Sequence, residues 1–211
     1  MGVSIAIEYK PTPVFDRILA KMGPNGLKKL AKAGAEDAAA TTRSWLMKLA
    51  ASRHATADRL GAKKTGIIQR TADNTKWEER GGENYVVVPH RMFRRAFEDV
   101  TIQPREAKAL AIPLHKDAYG HSPKTMAEKF FIWKKDRTKD DKGAAFLART
   151  KGKGKNQRLE LLFLLYRGRI LQKQDPSLLP DGDTMAKAAL RGVKRALARE
   201  LKAARSGGGS V

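Results

Sequence analysis

His115, Asp117, His121 and Glu128 fall within one short polar stretch, and imidazole with carboxylate is a donor set that a hydrolytic metal takes. Their spacing matches no ligand motif on a defined helix. A hydrolytic centre also needs more carboxylates than this loop supplies. We read these histidines as surface or internally satisfied groups, so neither a metal nor any other cofactor is expected. Tyr119 reads as a loop anchor rather than an acid–base group. Ser44, Ser52 and Ser122 lack the strand–turn–helix glycine setting that exposes a nucleophilic hydroxyl. Gly61-Ala62-Lys63-Lys64-Thr65-Gly66 has two glycines at the interval of a phosphate-binding loop, but Ile67-Ile68 stand where that loop needs Lys and then Ser or Thr. No catalytic residue is expected, and the chain reads as a non-enzyme.

The chemistry that remains is charge. Across 211 residues, 43 Lys and Arg face 22 Asp and Glu, a net charge of +21. Residues 134–211 hold 20 of the bases and 8 of the acids, an excess of 12, so the bias is uneven. Such an excess attracts polyanions, and nucleic acid is the first to consider. The competing reading is a solvated surface, or one that meets an acidic protein. Two basic runs stand out. Lys134, Lys135, Arg137 and Lys139 lie in 134–142, which has no apolar side. Lys151, Lys153 and Lys155 alternate with glycine, a backbone able to follow phosphates. Phe130, Phe131 and Trp133 adjoin bases and could stack on nucleobases, or pack their loop onto a sheet.

The length suits one domain, 1–205, with a flexible tail from 206 to 211 and mobile basic loops near 134–142 and 151–155. Apolar residues make up 41% of the chain, enough for a core of Leu, Ile, Val and Ala, since aromatics supply only 7%. Cysteine is absent, which excludes disulfides, thiol nucleophiles and Cys-held clusters. No apolar run approaches the roughly 20 residues that span a bilayer, and Met1 to Lys10 lacks the build of a signal peptide. A soluble protein made inside the cell, away from membranes, is expected.

Val3 to Tyr9 alternates as a half-buried strand does. Val14 to Met22 carries a helical stripe, broken by Gly23-Pro24-Asn25-Gly26. A long helix is expected from Leu27 to Arg59, with a thin ridge of Gly34, Ala35, Ala38 and Ala39 that meets either the protein's own sheet or another subunit. Gly61 to Thr75 is compatible with a helix or a turn. Trp77 to Glu79 and Asn84 to Pro89 form a hairpin closed by Gly81-Gly82. Met92 to Phe97 makes a helical turn or a loop. Short strands follow at Val100–Gln103 and Ala109–Leu114, and a basic-tipped hairpin at Ala144–Arg149 and Leu159–Tyr166. The run Leu161-Leu162-Phe163-Leu164-Leu165 predicts burial on both faces. Gln174 to Pro180 bends, Asp181 or Asp183 caps a last helix, and that helix runs to about Ala204.

Three of these pieces, in order, carry a resemblance. The first is Ile102-Gln103-Pro104 followed by Lys108-Ala109-Leu110-Ala111-Ile112-Pro113-Leu114 and Ala118-Tyr119-Gly120. The second is Ala145-Phe146-Leu147-Ala148-Arg149. The third is Leu162-Phe163-Leu164-Leu165-Tyr166 with Asp175-Pro176-Ser177-Leu178-Leu179-Pro180 and the closing helix. Between about Leu60 and Leu201 the chain resembles the tail-completion, or virion-morphogenesis, proteins at the neck of long-tailed bacteriophages. The resemblance implies an α+β fold, a small and mainly antiparallel sheet packed by a long N-terminal and a C-terminal helix. It implies a structural virion protein at the tail top that joins head to tail. Copies would close into a ring, commonly a hexamer, between the connector or adaptor and the tail terminator or tail tube. Genomic DNA would pass through, held without sequence preference. The family offers no catalytic residue to carry over. Alternatives are a terminator or connector subunit, or a non-enzymatic nucleic-acid-binding protein.

Overall fold

The computed structural model describes residues 2–4, 13–104, 107–134 and 145–206, with side chains from 23 to 202 and at Ala20. The fold is α+β, with a long N-terminal helix, a C-terminal helix and small antiparallel sheets. Two compact units divide the chain. The first comprises 1–51, 67–98 and 174–211; the second comprises 52–66 and 99–173.

In the first unit, helix α1 (Pro13–Ser52) kinks at Gly23, whose φ of 61° lies in the left-handed region, just before Pro24. The break foreseen at Gly23-Pro24 is therefore a kink between two helical stretches. The long helix ends at Ser52, not Arg59. Residues 50–56 bury no side chain fully. Helix α2 (Ala55–Leu60) restarts in the second unit and stops at Gly61, again left-handed. Helix α3 (Ile67–Asp73) resolves the ambiguous stretch as a helix.

Strands β1 (Gly2–Ser4), β2 (Lys76–Arg80) and β3 (Glu83–Val87) form an antiparallel sheet in the order β1-β3-β2. The β2–β3 hairpin has Arg80 opposite Glu83 and turns on Gly81 and Gly82, both at positive φ (62° and 83°). That is the backbone a two-residue turn demands and L side chains resist. Of the strand expected at Val3–Tyr9, residues 5–9 lie outside the described residues. Arg91–Ala96 is a 3-10 turn, and Pro176–Leu178 is another. Helix α4 (Gly182–Ser206) begins where the Asp181 carboxylate accepts the Thr184 N–H at 2.7 Å.

The small-residue ridge on α1 packs on α4 as well as on the sheet. Ala38 and Ala39 form one core cluster with Met185 and Ala189 of α4 and Val86 of β3. Gly34 approaches the Ala189 carbonyl and Val193, and Gly192 approaches Ala33 so closely that a β-carbon there would sit 2.2 Å from the Ala33 oxygen. Three polar residues weld the same seam: Asp37, buried, accepts from Arg195 and lies 3.5 Å from Arg191 Nε. A second cluster gathers Leu46, Leu49, Ala72, Phe93, Ala96, Leu178 and Leu179.

The second unit holds a four-stranded antiparallel sheet. Strands β4 (Val100–Ile102), β5 (Leu110–Pro113), β6 (Phe131–Lys134), β7 (Ala145–Lys151), β8 (Arg158–Tyr166) and β9 (Ile170–Gln172) follow in the chain. The sheet order is β5-β8-β7-β6, while β4 pairs with β9 separately. The β7–β8 register slips by one residue between Leu147 and Ala148, a bulge in β8 around Leu162. With the bulge, consecutive Leu162 and Phe163, both fully buried, join one cluster with Ala118. Met126 and Phe130 pack against it.

Candidate functional site

The β7–β8 hairpin places Arg149 directly opposite Glu160, on neighbouring strands and the same face. Arg149 Nε donates to Glu160 Oε2 at 2.7 Å. Its other guanidinium nitrogens donate to Asp117, in the 3-10 turn Lys116–Ala118 after β5, and to Glu128, ahead of β6. Three segments of the second unit thus converge on a cation carried by a fourth, and its side chain is 11% exposed. Lys151 Nζ lies 3.8 Å from the other Glu160 oxygen, and His115 Nδ1 accepts the Asp117 N–H at 3.2 Å. The Arg149 bonds lower the carboxyl pKa of both Asp117 and Glu160, and the Glu128 bond foremost raises that of the guanidinium.

His115, Asp117 and Glu160 place ligand-type atoms within 4.8 Å of one another. Sequence reasoning had set His115 and Asp117 beside His121 and Glu128, and missed Glu160 and Arg149. His121 is not one of the three, and Glu128 enters only through Arg149. One oxygen of each carboxylate, Asp117 Oδ2 and Glu160 Oε2, already accepts from the guanidinium. A divalent ion here would have to displace Arg149 or bind beside a fixed positive charge. The cluster is a charge-assisted clasp that ties the hairpin to the loops before it. A signal for it did exist: a hairpin that pairs Lys151 with Arg158 necessarily puts Arg149 against Glu160.

The described basic candidates do not form one patch. Lys134 ends β6 opposite Ala145, the first residue of β7, whereas Lys153 and Lys155 lie beyond Lys151 at its other end. Six residues of strand, about 20 Å, separate the two ends. The run at 134–142 had been expected to be a loop from its first residue, but Phe131–Lys134 is an edge strand, with Trp133 tilted against Phe146 at 5.6 Å. Phe131 and Ile132 are exposed, so no alternation marks the strand. Lys135, Arg137 and Lys139 lie outside the described residues. Lys151, Lys153 and Lys155 are exposed, and Gly154–Asn156 is wound as a 3-10 turn.

The motif residues divide between the two units. Pro104, Leu110, Ile112, Pro113, Leu114, Tyr119 and Gly120 belong to the second. Pro113 is the last residue of β5, and Leu114 carries the sheet bonding one step further by donating to Leu162 O at 2.8 Å. Gly120, at φ 80°, has Thr65 where a β-carbon would be. Pro176, Leu179 and Pro180 belong to the first unit, where Leu179 is in the core. All the motif residues serve strand ends, turns and packing. An open groove of about 490 Å³ is lined by Arg70, Asn74, Lys76 and His90 among others, and it contains no carboxylate.

Among the described residues no helix is long and apolar enough to cross a membrane. Comparison with protein-family models, with curated proteins and with solved structures finds no match to this chain.

Proposed function

We propose that this chain is a structural protein of the bacteriophage neck, completing the tail or joining head to tail as one subunit of a ring, a hexamer by the resemblance, around the DNA channel. The observation that carries the reading is the ordered series of motif pieces on strands and turns of an α+β fold of the implied kind. Its neighbours would be the connector or adaptor on one side and the tail terminator or tail tube on the other, and it would work by shape and contact. The polar clusters support a scaffold role: Arg149 is spent on three carboxylates, and Arg195 on Asp37. Exposed apolar side chains such as Phe97, Ile132 and Leu171 offer contact area for assembly. Heterologous contact round a ring needs two different patches on each subunit. Labelled antibody against this chain, imaged on purified particles, is expected to mark the head–tail junction. Particles whose junction never takes the label refute the proposal.

The +21 charge favours a second reading, a non-enzymatic nucleic-acid-binding protein that works without a ring. Light scattering of the purified chain with and without duplex DNA separates the two. A ring mass belongs to the first, and a DNA-bound monomer to the second.

A further inference from the structure

Lys187, Arg191, Lys194, Arg195, Arg199 and Lys202 are all exposed on α4. At 3.6 residues per turn they share an arc of about 140°, and Lys187 to Lys202 spans about 22 Å. The side next to Arg199, through Met185, Ala188, Ala189 and Gly192, is buried, and Ala188 falls between Arg195 and Arg199 on the helix. The buried seam fixes the rotation of the helix, and the cations form a band along its exposed side with at least one per turn. Beyond its first turn the only acid on α4 is Glu200, held by Lys29 at 3.4 Å from α1. Asp37 takes up part of Arg191 and Arg195 at one edge, while Arg191 also reaches Thr41 at 3.2 Å.

We infer that this outward face of α4 is a binding surface for the phosphate backbone of a nucleic-acid duplex. Such a backbone is a linear anion of regular repeat, and a rigid row of cations neutralises several phosphates at once without reading bases. The face carries no aromatic side chain to stack unpaired bases, which favours duplex over single strand. A helix that lies in a lipid surface inserts its apolar side, but here that side is buried in the core, and only Leu190 and Leu201 flank the cations in the open. The surface belongs to the first unit, and the basic runs at 134–139 and 151–155 belong to the second. It shares with the neck reading only the identity of the polyanion, and an assay on the full chain as a monomer tests it whether or not rings form.

The test is fluorescence anisotropy of the full chain with short labelled DNA duplexes of two unrelated sequences, over a salt series. The variant Lys187→Gln, Lys194→Gln, Arg199→Gln leaves untouched Arg191 and Arg195, which hold Asp37. The slope of log affinity against log salt is expected to shrink by about 2.7, roughly 0.9 for each charge removed, with at least about a tenfold loss near physiological salt and equal effects on both sequences. The variant Lys151→Gln, Lys153→Gln, Lys155→Gln is expected to keep most of the wild-type slope. The inference is overturned if the wild type binds no duplex, if the hairpin variant loses the slope and the α4 variant keeps it, or if phosphatidylserine vesicles bind while duplex does not. Should the α4 variant misfold, hydrogen exchange of the wild type with duplex decides: protection over 187–202 supports the surface, and protection confined elsewhere overturns it.

Discussion

Gly192→Ala tests the closest approach in the first unit. The new methyl would sit 2.2 Å from the Ala33 oxygen, 2.8 Å from the Ala33 carbon and 3.0 Å from the Asp37 β-carbon. Two of these atoms are helix backbone and cannot swing aside, so α4 must withdraw by about 1 Å to restore ordinary contact. A gap of that size forfeits about a quarter to a half of each dispersion contact along the seam. Overpacking of this kind costs about 1–3 kcal/mol, sometimes more, while alanine's better helix propensity returns about 1 kcal/mol. Stretching the Arg195–Asp37 bond adds to the loss, because Asp37 is buried. A net destabilisation of about 2 kcal/mol corresponds to a midpoint about 4–8 °C lower for a chain of this size. Gly34→Ala meets its nearest atoms at 3.2 Å and is expected to lose less. Gly182→Ala meets nothing within 4 Å and is expected to melt at or above the wild type. Thermal melts followed by circular dichroism at the helix band rank the three. A Gly192→Ala protein as stable as Gly182→Ala would refute the tight seam.

Other expectations concern the second unit. Phe163→Asp puts a charge at a wholly buried site among Leu162, Ala118 and Leu147, and should cost about 3–5 kcal/mol, read as lost amide dispersion for the residues of β5 to β8 while those of α1 and α4 persist. Arg149→Met strips three carboxylates of their shared donor and should destabilise by about 1–3 kcal/mol at neutral pH in denaturant titrations; a variant matching the wild type would show that the clasp is ornamental. The same clasp predicts acid sensitivity. Asp117 and Glu160 bind protons more weakly folded than unfolded, so their contribution is complete above the unfolded carboxyl range, about pH 4, and fades as pH falls through the lower folded values. The gap between wild type and Arg149→Met should therefore close below about pH 4, and a gap constant down to pH 2 contradicts the mechanism.

Legibility followed local chemistry. The Gly81-Gly82 hairpin could be read because two glycines separate alternating strands and only glycine suits that turn readily. Helix α4 could be read because Asp181 caps it and Met185, Ala189 and Val193 keep a four-residue beat. The end of α1 at Ser52 could not, since neither glycine nor proline marks it; the apolar stripe simply runs out after Leu49. Strand β6 hid because an edge strand with Phe131 and Ile132 in the open shows no alternation. The three residues of β9 are too few to carry a period. The clasp was invisible by inspection of one stretch, because Asp117 and Arg149 are brought together by strand pairing alone, yet half of it followed from the hairpin register. The ridge on α1 was found, but its partner α4 lies 150 residues away and small residues do not name what they touch.

The ladder of β4 and β9 matters beyond its size. Val100 pairs with Gln172 and Ile102 with Ile170, so the excursion from 99 to 173 departs and returns through adjoining strands. Just before and after it, the Asp175 backbone N–H donates to Arg95 O at 2.7 Å within the first unit. An inserted lobe on such a stem adds no long unclosed loop to its host, because the closure entropy is already met at the base. Lobes of other lengths fit the same three rungs only when 52–66, with helix α2, is exchanged along with 99–173, because both segments build the second unit.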